Sequence, residues 1–137
     1  MLDKKAPVII PCCGIDSVYG LMTQKIALQV ATTAGKNTEI LGLSYLVNGE
    51  IEAVQRITDT PCIIINGCFK ECASNVVEII GGDIAAEYAV DTLVAGFDMA
   101  SLGDAVNLTQ TGESQVGEIA CSLIADVNNA IKGAQKC

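Results

Sequence analysis

With 137 residues, half of them apolar and 18% charged, the chain has the length and composition of one globular domain and too little polarity for intrinsic disorder. Sixteen acidic against eight basic residues leave a net charge of -8, which provides no electrostatic footprint for a phosphate backbone or an anionic lipid surface, so neither nucleic acid nor membrane is an expected partner. Histidine is absent, which removes Ser-His-Asp triads, Cys-His dyads and mixed Cys/His metal sites, and leaves the seven cysteines at positions 12, 13, 62, 68, 72, 121 and 137 as the distinctive chemistry.

The first residues, Met1 to Pro7, precede only a short apolar run and make neither a signal peptide nor a membrane span, so a cytoplasmic location is expected. In that reducing setting the cysteines point to metal binding or thiol chemistry rather than to a disulfide framework. Val8-Ile9-Ile10 reads as a buried strand that stops at the tight loop Pro11-Cys12-Cys13-Gly14. Ser17 is placed to cap a helix over Val18 to Ala34, with Gly35 as its C-cap. A second strand is expected at Ile40 to Val47, leading to the Asn48-Gly49 turn, and a short helix over Glu50 to Ile57 follows.

Ile63-Ile64-Ile65 is β-branched throughout and reads as the central strand, covered on both faces, between Pro61-Cys62 and Asn66-Gly67-Cys68. A helix is expected from Cys68, because Phe69, Cys72, Ala73, Val76, Val77 and Ile80 repeat at helical spacing before Gly81-Gly82. Tyr88 to Val94 would continue the β-α alternation as a fourth strand. Gly96 to Gly112 reads as mostly loop, long enough to act as a lid beside the cysteine edge. Val116, Ile119, Ala120, Leu123, Ile124, Val127 and Ile131 mark a last amphipathic helix, with Cys121 near the edge of its apolar face. No repeat or linker divides the chain. The expectation is a single cysteine-rich α/β domain over residues 1-137, of three-layer Rossmann-like form, with a parallel sheet of about four strands and helices on both faces.

Ligands of open α/β sheets gather at the carboxyl ends of the strands, where helix N-termini also point. Pro11-Cys12-Cys13-Gly14 and Asn66-Gly67-Cys68 are both strand-to-helix loops, and the first and third strands are expected to be neighbours, so three or four cysteines converge at that edge. Cys68 and Cys72 are four residues apart, one helical turn and one face, within reach of a single ion. Taken alone, Cys72 reads better as a small core residue on the stripe with Phe69 and Val76, and it is the other cysteine loop that turns the reading toward a ligand. Adjacent side chains diverge from an extended backbone, so Cys12 is expected to face the site and Cys13 to be accessory. The first loop is no phosphate cradle, having one glycine at 14, another at 20 and no Arg or Lys before Lys25. Cys62 begins its strand at the end away from the site and reads as core, and Cys137 as part of a disordered terminus. Asp16, Glu71 and Asp91 lie near the loops as candidate acids or bases, although a solvated role is the simpler reading in so acidic a chain.

Pro11-Cys12-Cys13-Gly14, a later strand running into Asn66-Gly67-Cys68-Phe69-Lys70-Glu71-Cys72-Ala73, and a helix ended by Gly81 together resemble the DGC-domain family, small prokaryotic proteins generally described as candidate zinc binders. The resemblance spans roughly residues 8 to 95. It implies that Cys12, Cys68 and Cys72 are metal ligands. Asn66 stands where the family has the acidic residue of its name, and the segment around Gly42-Leu43-Ser44 lacks a cysteine that many relatives carry nearby. The fourth ligand is therefore open, with Cys13 or Cys121 able to close the set. Four protein ligands make a structural zinc site, whereas three leave a position for water, sulfide or substrate. Three-cysteine sites also hold iron-sulfur clusters with one open iron, a layout similar to that of the thiouracil desulfidase family, and soft thiolates suit iron and zinc alike.

The sequence thus implies a small metal-binding protein, zinc first, with Cys12, Cys68, Cys72 and Cys13 as the metal ligands and a sulfur-containing small molecule as a candidate partner. One alternative is an iron-sulfur enzyme of desulfuration or sulfur transfer, with Asp16, Ser17 or Glu71 assisting protonation. Another is a metal-free thiol protein that passes persulfide or electrons through Cys12 and Cys68.

Overall fold

The computed structural model describes residues 7–34 and 38–131. Two apolar strands lie at its centre: β1 (Val8–Pro11) and β3 (Cys62–Asn66) are buried along their whole length, as strands of a sheet covered on both faces must be. They pair in parallel, with Val8 opposite Cys62 and Pro11 opposite Ile65. The two-residue β2 (Glu39–Ile40) flanks β1, and β4 (Ile84–Ala89) flanks β3, giving a four-stranded sheet of order β2-β1-β3-β4, all parallel.

Parallel neighbours require crossover connections, and these build the outer layers. On one face, Ile9, Ile63 and Ile65 pack against α1 (Val18–Ala34), α5 (Val90–Leu93), α6 (Met99–Leu102) and α7 (Gln110–Ile131). On the other, Val8, Ile10, Cys62 and Ile64 meet Leu46 of α2 (Leu43–Val47), Ala53 and Ile57 of α3 (Ile51–Asp59), and Ala73 and Val77 of α4 (Cys72–Ile80). The expected three-layer α/β architecture is the observed one. Lys25 and Glu113 form an ion pair at 3.2 Å between α1 and α7, and the Tyr88 hydroxyl bonds Asp126, tying β4 to α7. Ser17 caps α1 as expected, its Oγ accepting the N–H of Tyr19 at 3.1 Å. The expected C-cap at Gly35 lies outside the described residues.

Several elements differ from the sequence expectation. The second strand ends at Ile40; Leu41 still donates to Ile9, but Gly42 then opens helix α2, whose Leu46 enters the core. A five-residue apolar segment carries too short a period to distinguish strand from helix. Helix α4 begins at Cys72 rather than Cys68, because Glu71 adopts a left-handed conformation with φ 52° and ψ 42°. The fourth strand runs over Ile84–Ala89, and Val90–Leu93, expected to be strand, turns into α5 with Val90 and Val94 buried.

The stretch from 96 to 112 is structured and is no lid over the cysteine cleft described below. Leu102 of α6 is buried against α7, Gly103 bridges Leu108, and none of these residues lines that cleft. Asp104 accepts the N–H groups of Val106 and Asn107, both at 2.8 Å, and the bonds hold its carboxyl below the usual range. Thr109 then caps α7 by accepting the N–H of Gly112 at 3.1 Å, which starts this helix well before Val116.

Candidate functional site

The first cysteine loop leaves β1 still in the sheet, since Cys12 N–H donates to the carbonyl of Ile65 at 2.9 Å. At Cys13 the backbone switches to φ 53°, a left-handed conformation that costs a non-glycine residue on the order of 1–2 kcal/mol. A buried hydroxyl holds the switch in place: Cys13 N–H donates to Thr23 Oγ1 at 3.0 Å, and Thr23 Oγ1 donates to the Gly20 carbonyl at 2.7 Å. The turn places both Cys12 and Cys13 on the wall of one cleft, where the sequence placed Cys13 as accessory. Side chains of neighbours diverge on extended backbone, and this backbone is no longer extended. Desolvation pushes the Cys13 thiol above its ordinary pKa, and the charge of Cys12 adds to the rise.

Gly20, in the first turns of α1, brings the two cysteine loops together. A Cβ on Gly20 would fall 1.8 Å from the Gly14 carbonyl oxygen, so the first loop rests directly on the helix backbone. The second loop presses on the same turn, since a Cβ on Gly67 would meet the backbone of Tyr19 at 3.4 Å and of Gly20 at 3.5 Å. Gly67 is also held from α5, whose Asp91 N–H donates to its carbonyl at 3.1 Å.

Beyond Gly67 the chain makes a turn closed by Glu71 N–H donating to the Cys68 carbonyl at 3.0 Å, and α4 starts one residue later. Cys68 is half-buried in that turn and Cys72 is exposed at the first position of the helix. The two sulfurs therefore do not share a helical face, and neither Cys72 nor Phe69 is the core residue that the apolar stripe suggested. Asn66, at the end of β3, is buried and bonded to Ser74, so the position that is acidic in the family's name holds the start of α4 in this chain.

Cys12 and Cys13 face an open cleft of about 930 Å³ whose far wall is Gly42 to Tyr45, Val47, Asn48 and Glu50. That wall escaped the sequence reading, which took this segment for strand. Thr23 escaped it too; its signal is a hydroxyl on the buried face of α1 beside Met22, where it must find a partner. Cys62 is core as expected: fully buried, it donates its thiol to the carbonyls of Thr60 at 3.4 Å and Ile57 at 3.6 Å, and burial followed by the Asp83 charge raises its pKa to about 11. Cys121 is disulfide-bonded and offers no thiolate to close the set, while Cys137 lies outside the described residues.

Cys12, Cys13 and Cys68 are free thiols in the segments that follow β1 and β3, and Cys72 is a free thiol at the first position of α4. Among the described residues, no three Cys, Asp or Glu side chains stand close enough to hold one ion as a preformed group. The donor set fits a soft metal in its chemistry, being all sulfur with no histidine. No helix among the described residues is long and apolar enough to cross a membrane.

The fold is a three-layer α/β arrangement around an all-parallel sheet of four strands. A sequence model of the DGC domain matches residues 8–98, and the chain belongs to that family, which is linked to metal binding. The match covers both cysteine loops, the cleft and the whole sheet. Comparison with curated proteins and with solved structures gives no significant match.

Proposed function

We propose that the protein binds a soft metal ion, zinc in the first instance, through thiolates drawn from Cys12, Cys13, Cys68 and Cys72. The observation that supports the reading is the seating of both cysteine loops on one turn of α1 at Gly20, in a chain whose Cys12, Cys13, Cys68 and Cys72 are free. Thr23 and Asn66 are positioning residues in this scheme. Thr23 fixes the turn at Cys13, and Asn66 fixes the start of α4 and thereby Cys72. Zinc would supply a Lewis-acidic centre able to accept a soft sulfur donor. The open cleft beside Cys12 and Cys13 leaves room for such a donor on a small molecule.

Elemental analysis of protein purified without oxygen tests the reading. Colourless protein with about one zinc per chain, the stoichiometry of a mononuclear thiolate site, is the expected result. Brown protein carrying iron and sulfide would replace zinc with a cluster on the same thiolates. Protein with neither would overturn the metal reading and leave thiol or persulfide transfer.

A further inference from the structure

We propose that the cysteine edge is a docking surface for a basic, amphipathic segment of another protein. Ile15 and Phe69 are 91% and 82% exposed. Each stands within two residues of a thiol, Ile15 after Cys13 and Phe69 after Cys68. Single exposed apolar residues are ordinary. These two belong to loops that meet at Gly20, and the wall of the cleft beside Cys12 and Cys13 adds exposed Tyr45 and Val47, so the segments that carry the thiols also carry exposed apolar side chains.

The outward position of Phe69 is built into the backbone. Its spacing with Ala73 and Val76 would bury it on the helix face if α4 began at Cys68; the left-handed Glu71 interrupts that path and leaves Phe69 in solvent. Cys13 and Glu71 are the two non-glycine residues with positive φ among those described, and both lie in these loops. Strain of this kind collects at binding sites.

Charge decides the occupant. Asp16, Glu50 and Glu71 are exposed in these segments and Asp91, whose N–H bonds the Gly67 carbonyl, is half-exposed; among the described residues of 12–17, 42–50 and 67–72 the one cation is Lys70. A second copy of the chain would bring these carboxylates against their own equivalents, whereas a basic segment is steered toward them. Its apolar face would cover Phe69 and Ile15, and its approach would reach the exposed thiols of Cys13 and Cys72. Docking of this kind stands apart from the metal reading, because the exposed apolar side chains and the carboxylates belong to the chain whether or not the thiols hold an ion.

The probe is a synthetic amphipathic peptide of leucine and lysine, with a leucine and glutamate peptide as control, titrated into the full chain with and without zinc and followed by amide chemical shifts. Saturable binding is expected, with shifts centred on residues 12–17, 42–50 and 67–72, weakening as salt is raised. Phe69→Ser and Ile15→Ser should each weaken it roughly tenfold, the effect of one lost apolar anchor. Ile79→Ser removes an equally exposed side chain, 85% accessible, at the far end of α4 and should leave binding unchanged. Binding that ignores Phe69→Ser, shifts centred on Ile79, equal binding of the glutamate peptide, or Phe69-dependent self-association would each overturn the proposal.

Discussion

Asn66 grips Ser74 with both ends of its amide: Oδ1 accepts the Ser74 N–H at 3.2 Å, and Nδ2 donates to Ser74 Oγ at 2.7 Å. Ser74 is the third residue of α4, and Glu71, the residue before the helix, makes no capping bond with its side chain. The cap therefore comes from the last residue of the neighbouring strand. Asn66→Ala would leave a buried N–H unpaired and should cost about 1–3 kcal/mol in denaturant unfolding. Asn66→Asp, whose carboxylate can accept from both Ser74 donors at a helix N-terminus, should recover most of that loss. Equal stability of Asn66→Ala and the parent chain would show that the cap contributes nothing.

The same pair shows where the sequence stops being legible. Strands β1 and β3 could be read directly, because Val8-Ile9-Ile10 and Ile63-Ile64-Ile65 are apolar throughout and bounded by Pro, Asn and Gly, and their adjacency follows from parallel α/β topology. The start of α4 could not, since it is set by a bond from Asn66 eight residues before Ser74, and the stripe from Phe69 to Ile80 fits a longer helix equally well. Strand β4 was hidden by its alanines, which give Ile84 to Ala89 little hydrophobic contrast between faces. At the site, the cysteine loops were visible as motifs. The wall opposite them was not, because α2 is too short for periodicity to declare it.

Gly20 and Gly117 are both helical glycines, yet alanine should act on them in opposite directions. At Gly20 a Cβ would collide with the Gly14 carbonyl at 1.8 Å, and the obstacle is backbone rather than a flexible side chain. Gly20→Ala must displace the first cysteine loop, lowering the unfolding midpoint and any metal affinity together. At Gly117 of α7 a Cβ meets nothing within 4 Å, so Gly117→Ala should stabilise by about 0.5–1 kcal/mol through helix propensity. Thermal melts of the two variants check both signs.

If the proposed thiolates hold the metal, cysteine substitutions should sort by place in the fold rather than by type. Cys68→Ser should abolish stoichiometric metal, because a hydroxyl is a poor substitute for a soft thiolate. Cys62→Ala, altered between the sheet and α3, should retain it. Thr23→Val keeps the side-chain shape but removes the acceptor of the Cys13 N–H, and should weaken metal binding while the fold persists. Parallel elemental analysis of the three variants is the measurement; equal metal loss in all of them would move the site elsewhere.

Cys62 also makes stability fall in alkaline solution. Burial first, and the Asp83 carboxylate second, raise its thiol from 9.0 to about 11. The unfolded chain gives up this proton near the ordinary value while the folded chain keeps it, so between those limits the unfolded state binds fewer protons and gains on the folded one as pH rises. The stabilisation tied to the protonated thiol is complete below pH 9.0 and is lost as pH climbs through about 11. At pH 7, Cys62→Ala should be less stable than the parent chain by about 1–2 kcal/mol, the cost of removing a small, well-packed buried group. Above pH 9.0 that gap should narrow, because alanine has no proton to lose. Denaturant titrations of both proteins at pH 7, 9, 10 and 11, made anaerobically so that the thiol is not oxidised, measure the gap directly; a gap that stays constant across the series would mean that Cys62 titrates alike in the folded and unfolded chains.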